Sequence, residues 1–178
     1  LAEAEIEYHE KISSSIFVKF PVKSDENLSI VIWTTTPWTI PCNKGLAYSQ
    51  ELKYQIIKIE ENYPKYNLTK NERIIVAEDL LSDFVELNEI KSFSVLENIS
   101  SKKIEKLICK HPLESLGFNY DVKVFPSNHV TAENGTGFVH IAPNHGQEDF
   151  DLGQINNLGN DPTVNEKGVY EKNIKFFE

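Results

Sequence analysis

Methionine is absent from this 178-residue sequence, and cysteine occurs only twice, at Cys42 and Cys109. Two cysteines are too few for a disulfide framework, and their spacing is not that of a zinc site. Such scarcity fits a reducing compartment, so we expect a cytoplasmic location. The missing initiator methionine fits an excised fragment of a longer polypeptide as readily as a processed N-terminus.

Long apolar runs are also missing. No stretch approaches the roughly 18 apolar residues of a membrane span, and the opening LAEAEIEYHEK lacks the basic and apolar regions of a signal peptide. We therefore expect no association with a membrane. With 40% hydrophobic and 25% charged residues, the composition is instead that of an ordinary globular domain.

Positive charge is scarce as well. The sequence holds 18 Lys and Arg against 27 Asp and Glu, which gives a formal net charge of −9. A domain whose main task is to grip a nucleic-acid backbone carries a basic stripe instead. The charge balance excludes that task, but it leaves open a domain that meets only the end of a nucleic acid.

Three short signatures of catalysis are missing too. The sequence contains no GxxxxGK[ST] phosphate loop, no GxSxG nucleophile turn and no HExxH zinc motif. These absences argue against a P-loop nucleotidase, an α/β-hydrolase and a zincin-type metalloprotease.

Short apolar runs that are bounded by turn residues dominate the chain and predict many strands. The run Leu28–Thr36 is apolar on both alternating faces, which indicates a strand buried on both sides. Helical spacing of apolar residues predicts a helix over Ala77–Leu87. We predict the remaining strands at Ser15–Phe20, Lys53–Ile59, Glu72–Val76, Ser92–Leu96, Val122–Phe125, His129–Thr131 and Gly137–Ile141.

This pattern predicts a single α+β domain over residues 1–178, with a β-barrel-like core of short strands and a few peripheral helices. No internal repeat or low-complexity linker divides it. The two ends, residues 1–14 and 162–178, lack a clear pattern, and we expect them to be flanks that connect to a parent protein.

The first candidate for chemistry is WTTTPWTIPCN, at Trp33–Asn43. Alternation along a strand places Thr34 and Thr36 on one face and Thr35 on the other. Because Pro37 ends the ladder, hydroxyls and backbone groups here are free to meet a ligand. A run of threonines is also ordinary in a strand. The two tryptophans, two prolines and terminal asparagine make the segment more specific than that.

The second candidate is ENGTGFVHIAPNHGQEDF, at Glu133–Phe150. Gly135 and Gly137 permit a tight turn or a close backbone approach to a ligand. His140 follows on a predicted strand. Taken alone, such a histidine is more often a hydrogen-bonded structural residue than a catalyst.

A short helix is predicted near His145, with Asn144 as its N-cap and Gln147 three residues on. Asp149 then lies four residues after His145, on the same side of the helix. A zinc site of His140, His145 and Asp149 is conceivable, but the order fits no zinc motif and no further ligand is evident. The acidic residues also suit a helix N-terminus without any further role.

Together the two segments resemble the editing insertion, or connective peptide, of class I aminoacyl-tRNA synthetases, and within that class the isoleucyl family. WTTTPWT-x-P-x-N and GTGFVHIAPNHGQEDF both match the isoleucyl pattern, whereas valyl and leucyl relatives carry TTRPET- or TTRPDT-like versions of the first motif. The opening residues also look like the flank that enters this insertion. HIGH and KMSKS are absent. The resemblance therefore implies that ATP and Mg²⁺ serve only the synthetic site of a parent enzyme, with no cofactor or metal in this domain.

The resemblance implies hydrolysis of mischarged valyl-tRNA(Ile), with valyl-adenylate as a possible second substrate. Isoleucine and valine differ by one methylene, and the isoleucyl enzyme is the standard illustration of how little discrimination that difference gives one pocket. Asp149 would bind the α-ammonium group. Thr34, Thr35 and Thr36 would line the pocket and orient the ester and the attacking water.

Trp38 and His140 would form the wall that excludes isoleucine, and His140 would also reach the terminal ribose. Asn43 matches a position near the terminal adenosine, and Gly137 would allow the substrate to approach the backbone. Among these residues the resemblance assigns the catalytic part to Asp149, His140, Thr35 and Thr36.

The expected partners are the 3′ end of aminoacylated tRNA(Ile) and the remainder of the parent synthetase, in which the domain acts as a monomer. Two alternatives stay open. One is a free-standing deacylase that acts in trans, and the other is a tRNA-end or amino-acid binding module without catalysis.

Overall fold

A computed structural model describes residues 14–174. The strands are β1 (Ile16–Val22), β2 (Asp25–Thr34), β3 (Gly45–Tyr48), β4 (Tyr54–Ile59), β5 (Arg73–Ala77), β6 (Phe93–Ile99), β7 (Ile108–Lys110), β8 (Asp121–Pro126) and β9 (Phe138–Ile141). The helices are α1 (Leu81–Leu87), α2 (Ser101–Ile104) and α3 (Gln147–Ile155), with 3₁₀ turns at Pro37–Cys42, Pro64–Tyr66, Glu78–Leu80 and Glu114–Leu116. The α+β class with few helices is confirmed.

The strands form one mixed sheet in the order β6-β4-β5-β2-β1-β7-β8-β3-β9. The pairs β2–β5 and β3–β8 are parallel, and the other pairs are antiparallel. The sheet curls, so that β9 at its end returns to the middle strands. The Ala77 amide donates to the Thr136 carbonyl at 2.8 Å, and the Thr136 hydroxyl donates to the Val31 carbonyl. These bonds close the barrel-like core beside β9.

The central strand β2 is buried on both faces, as its apolar pattern predicts. Ile30 and Ile32 pack into the larger apolar core, while Val31 faces a second core on the other side of the sheet. The strand ends at Thr34, two residues before the predicted end. Pro37 then begins a 3₁₀ helix, because proline has the backbone angle of a helix start and no amide for the sheet.

Several local predictions are wrong. His129–Thr131 is not a strand, because β8 ends at Pro126 and a turn follows. Asn144 is not the N-cap of α3; Gly146 holds that position, and the Asn144 side chain donates to the Asp161 carbonyl. The predicted helix over Ala77–Leu87 begins as a 3₁₀ turn, and its α-helical part starts only at Leu81.

Two short strands, β3 and β7, have no counterpart in the sequence-based assignment. The four residues of β3 are all buried, so they carry no alternation of apolar and polar positions. Gly45 at its start lies against Phe125, where an added Cβ would come within 2.8 Å of the ring.

The first predicted flank, except for Ser14, and the last four residues of the second lie outside the described residues. In the second flank, the described part packs against the body of the domain. Thr163 is buried, and Ile174 joins a small core with Cys42, Phe118 and Ala142. No helix within residues 14–174 is long and apolar enough to cross a membrane.

Candidate functional site

The two segments singled out in the sequence meet in the structure. The Thr39 hydroxyl of the first segment lies 2.8 Å from His140 Nε2 of the second. The rings of Trp38 and His145 meet edge to face, with centroids 5.0 Å apart. The Lys44 amide also donates to the Ile141 carbonyl at 2.8 Å. The 3₁₀ helix Pro37–Cys42 therefore lies directly against β9 and the loop that follows it.

The three threonines at the end of β2 are divided between the interior and the surface. Thr34 is buried, whereas Thr35 and Thr36 are exposed. Thr34 Oγ1 accepts a hydrogen bond from the Thr36 amide at 3.1 Å and lies 3.3 Å from the Thr36 hydroxyl. Thr34 and Thr36 therefore contact each other, as alternation suggests, but they do not share a strand face, because the strand ends at Thr34.

A cavity of about 270 Å³ opens beside this strand end. Its walls come from the end of β2, the turn after β8 and the start of β9, namely Trp33, Thr34, Thr35, His129, Thr131, Glu133, Asn134, Gly135, Phe138 and Val139. The volume falls below the roughly 300–1,000 Å³ of sites for drug-sized ligands. The space therefore suits a small group that is rich in polar contacts.

His140 lies on β9 opposite Leu46 and is 7% exposed. Burial lowers its pKa to about 4, and the neighbouring His145 and His111 act in the same direction. The ring is therefore neutral near pH 7. Its Nε2 contacts the Thr39 hydroxyl, while Nδ1 is buried and has no hydrogen-bond partner within residues 14–174.

Asp149 lies in the first turn of α3, where a carboxylate complements the positive end of the helix dipole. Its Oδ2 accepts a hydrogen bond from the Ala142 amide at 2.8 Å. Burial raises the pKa of Asp149 above its ordinary value, and the Ala142 amide and the nearby His129 offset this rise only in part. The aspartate thus ties α3 to the residues just after β9 and presents a half-buried carboxyl group there.

Trp38 is 49% exposed and contacts His145 rather than His140. His145 is held in turn by the Thr163 hydroxyl, 2.7 Å from its Nε2. Burial lowers the pKa of His145. The Tyr170 hydroxyl donates to the Trp38 carbonyl at 2.5 Å. Residues near the end of the described chain therefore hold Trp38 in place.

Gly137 and Asn43 lie in the interior. Gly137 has a φ of +82°, and a Cβ there would come within 2.5 Å of Ala77 Cβ, so glycine is required for packing. Asn43 is fully buried, and its amide donates to the Gly45 carbonyl at 2.8 Å. Contact of either residue with a substrate stays a prediction.

Two residues beside the site were not found from the sequence. Thr39 belongs to the first segment, and it is buried within the 3₁₀ helix Pro37–Cys42, which no pattern in the sequence predicted. His129 carries no pattern signal. Its Nδ1 lies 2.8 Å from the Ser127 hydroxyl, and its buried Nε2 lacks a partner among the described residues.

The residues that a zinc site would need do not converge. Among residues 14–174, no group of three or more His, Cys, Asp and Glu side chains is arranged to hold a metal. His140 and His145 each direct Nε2 to a threonine hydroxyl, and an Asp149 oxygen is engaged by a backbone amide. Each of the three residues is thus engaged in a hydrogen bond within the chain, and the absence of a metal from this domain stays a prediction.

Solved structures of similar fold come from synthetase editing domains. The crystal structure of GlLeuRS-CP1 matches with a TM-score of 0.61 at 16% identity, over 79% of this chain and 58% of that one. The P. knowlesi cytosolic leucyl-tRNA synthetase editing domain matches with a TM-score of 0.62 at 12% identity, over 82% and 65%. At such low identity the match establishes the fold alone. The fold is that of the editing domains of aminoacyl-tRNA synthetases.

The proteins that are similar in sequence point to one synthetase in particular. Isoleucine–tRNA ligase of Pelagibacter ubique (strain HTCC1062) is 42% identical over 183 residues, covering all of this chain and 20% of the relative. The ligase of Gluconobacter oxydans (strain 621H) is 42% identical over 159 residues, covering 85% and 17%. No family model matches. The chain belongs to the isoleucyl-tRNA synthetase family, as its editing domain, and spans about a fifth of the length of these relatives.

Proposed function

We propose that this chain hydrolyses the ester bond of mischarged valyl-tRNA(Ile), as the editing half of an isoleucyl-tRNA synthetase. The observation that carries the proposal is the meeting of the threonine-rich strand end with His140, through Thr39, beside a cavity of about 270 Å³. Valyl-adenylate carries the same aminoacyl group and would meet the same residues.

The attacking group in this proposal is water. Both cysteines are buried, and burial raises the pKa of Cys109 to about 12 and that of Cys42 as well. Neither forms a thiolate near neutral pH, so neither is a nucleophile. An aminoacyl ester is already activated. Orientation of a water molecule by Thr35 and Thr36 and polarisation of the carbonyl therefore supply the needed rate.

Asp149 is the proposed ligand of the α-ammonium group. Burial raises the pKa of Asp149 overall, while its hydrogen bond with the Ala142 amide fixes one carboxylate oxygen and favours the ionised form. A charge-assisted bond from the ammonium group is stronger in this half-buried position than in open water. The ester is thereby held at a fixed distance from α3.

Selection against isoleucine is assigned to His140 and Trp38, the residues that the resemblance to the family gives this role, although neither lines the cavity of about 270 Å³. One methylene is worth about 1–3 kcal/mol in an apolar pocket, so a second sieve multiplies the discrimination of the synthetic site. The net charge of −9 fits a domain that meets the 3′ end of the tRNA while the rest of the synthetase binds its body.

Asp149→Asn in the full-length synthetase tests the proposal. Asparagine keeps an acceptor for the Ala142 amide but removes the charge, so the loop stays in place while ammonium binding is lost. We expect the rate of valyl-tRNA(Ile) deacylation to fall at least about 100-fold, as for other lost charged contacts. The exposed neighbour Glu148→Gln is the matched control and should leave the rate unchanged. A wild-type rate in Asp149→Asn would remove the aspartate from the mechanism.

A further inference from the structure

The Thr39 hydroxyl lies between two partners. Its oxygen is 2.8 Å from the Thr36 carbonyl oxygen and 2.8 Å from His140 Nε2. A carbonyl oxygen only accepts, so the single hydroxyl proton of Thr39 is donated to Thr36. His140 Nε2 must therefore carry the hydrogen and donate it to Thr39.

This assignment fixes the other side of the His140 ring. A neutral imidazole has one donor nitrogen and one acceptor nitrogen, so Nδ1 is an unprotonated acceptor. His140 is more than nine-tenths buried, and Nδ1 has no partner within residues 14–174. A buried acceptor without a partner is destabilising, which makes this nitrogen suited to a donor that arrives with a ligand.

We propose that Thr39 is a positioning residue, which holds His140 in the Nε2–H tautomer so that Nδ1 accepts a hydrogen bond from a donor on the aminoacyl-adenosine end of the substrate. The inference rests on the proposed function, since it names a substrate contact of the same site. It also specifies the kind of partner, because Nδ1 would accept a hydrogen bond from a donor and would repel another acceptor.

A purely structural role for Thr39 has different consequences. Both its amide and its hydroxyl bond the Thr36 carbonyl, which stabilises the start of the 3₁₀ helix. Loss of that bond alone would lower the free energy of unfolding, but it would leave the protons of the His140 ring where they are. The position of those protons therefore distinguishes the two roles.

The test uses ring-¹⁵N-labelled histidine in the 178-residue chain at pH 7, with His140 assigned through the His140→Gln variant. Wild type is expected to give a protonated Nε2 and an unprotonated Nδ1. Thr39→Val, which keeps the shape but removes the hydroxyl, should give two ring shifts averaged between tautomers. Thr39→Ser should restore the wild-type spectrum. A protonated Nδ1 in wild type would overturn the proposal, even if the valine variant does not fold.

Activity in the full-length synthetase provides the second arm. Thr39→Val should lower kcat/KM for valyl-tRNA(Ile) deacylation about tenfold, mainly through a higher KM, and Thr39→Ser should recover it. If both variants keep wild-type kcat/KM while Asp149→Asn does not, the tautomer role is wrong and the proposed function stands. If wild type itself fails to deacylate valyl-tRNA(Ile), the proposed function fails, and the substrate contact of His140 fails with it.

A valyl-tRNA(Ile) whose terminal ribose lacks the hydroxyl next to the ester separates the two donors nearest the ester, which are that hydroxyl and the α-ammonium group. If the hydroxyl is the donor, this tRNA and Thr39→Val each lower kcat/KM, and their combination lowers it no further. If the α-ammonium group is the donor, the two losses multiply. Unchanged kcat/KM for Thr39→Val with both tRNAs would exclude a substrate donor at Nδ1.

Discussion

His111 and His140 are both buried histidines, and both contact the 3₁₀ helix Pro37–Cys42. Burial lowers the pKa of each to about 4. At His111 both ring nitrogens have partners, because Nε2 donates to the Ile40 carbonyl at 3.1 Å and Nδ1 accepts from the Leu113 amide at 3.1 Å. At His140 only Nε2 has a partner within the described residues.

The difference separates a structural histidine from a candidate site residue. A perturbed pKa marks functional sites only with some probability, because burial alone produces it. Completeness of hydrogen bonding is the sharper criterion, since buried polar groups without a function are nearly always paired. His111 stacks on Phe118 with ring centroids 4.9 Å apart, and both of its ring nitrogens are hydrogen-bonded, as in a structural residue. His140, by contrast, leaves Nδ1 without a partner within the described residues.

Removal of the two side chains should therefore affect folding unequally. His111→Ala leaves the Ile40 carbonyl and the Leu113 amide without their partners, and it vacates the space beside Phe118. We expect a loss of about 3 kcal/mol in the free energy of unfolding, measured by urea denaturation at pH 7. His140→Ala should cost about 2 kcal/mol, because it also vacates buried space but breaks only one hydrogen bond and removes an unpaired acceptor. Equal losses of stability in the two variants would show that the difference in hydrogen bonding between His111 and His140 does not affect folding.

Acid should destabilise the fold through the same two histidines. Their pKa of about 4 in the folded chain lies below the 6.5 of an exposed histidine. Between those values the unfolded chain binds more protons, so the free energy of unfolding falls as pH falls from 6.5 towards 4. The expected loss between pH 7 and pH 5 is about 2 kcal/mol per histidine.

Urea denaturation at pH 7 and pH 5 measures this loss, and the variants His111→Gln and His140→Gln supply the comparison. Each variant removes one titrating ring, so each should lose less stability than wild type over this interval. The same pH dependence in all three proteins would contradict the assignment of both rings as buried and neutral.

The smallest of these effects in free energy concerns selectivity. If His140 forms part of the wall that excludes isoleucine, His140→Ala in the full-length synthetase should raise the deacylation of correctly charged isoleucyl-tRNA(Ile) about tenfold. His111→Gln is the control at a second buried histidine that contacts the same helix, and it should leave this rate low. Unchanged selectivity in His140→Ala would show that His140 has no part in excluding isoleucine and serves only the structure.

The sequence predicted most of the architecture because its signals there are local. The apolar run of β2 is long enough to identify a buried strand, and the two motif segments are long enough to identify a family. The four buried residues of β3 gave no periodic signal. The turn at His129 follows from Pro126, which ends β8, and a β-branched pair after it was mistaken for a strand.

The site was predicted less completely, because its contacts depend on tertiary packing. Thr34 and Thr36 could be paired by alternation alone. The bond between Thr39 and His140, by contrast, joins residues 101 positions apart. Trp38 meets His145 because the 3₁₀ helix Pro37–Cys42 packs near the loop that follows β9. No pattern in a single sequence encodes these pairings.

Single-turnover deacylation tests hydrolytic editing most directly. The full-length synthetase that carries this chain is mixed with valyl-tRNA(Ile) or isoleucyl-tRNA(Ile), and ATP is left out so that the tRNA is not charged again. We predict that the valyl ester is hydrolysed at least about 100-fold faster than the isoleucyl ester, and that Asp149→Asn abolishes the difference by removing the fast reaction. Equal rates for the two esters in the wild-type enzyme, or no hydrolysis of either above the uncatalysed rate, would contradict an editing function for this domain.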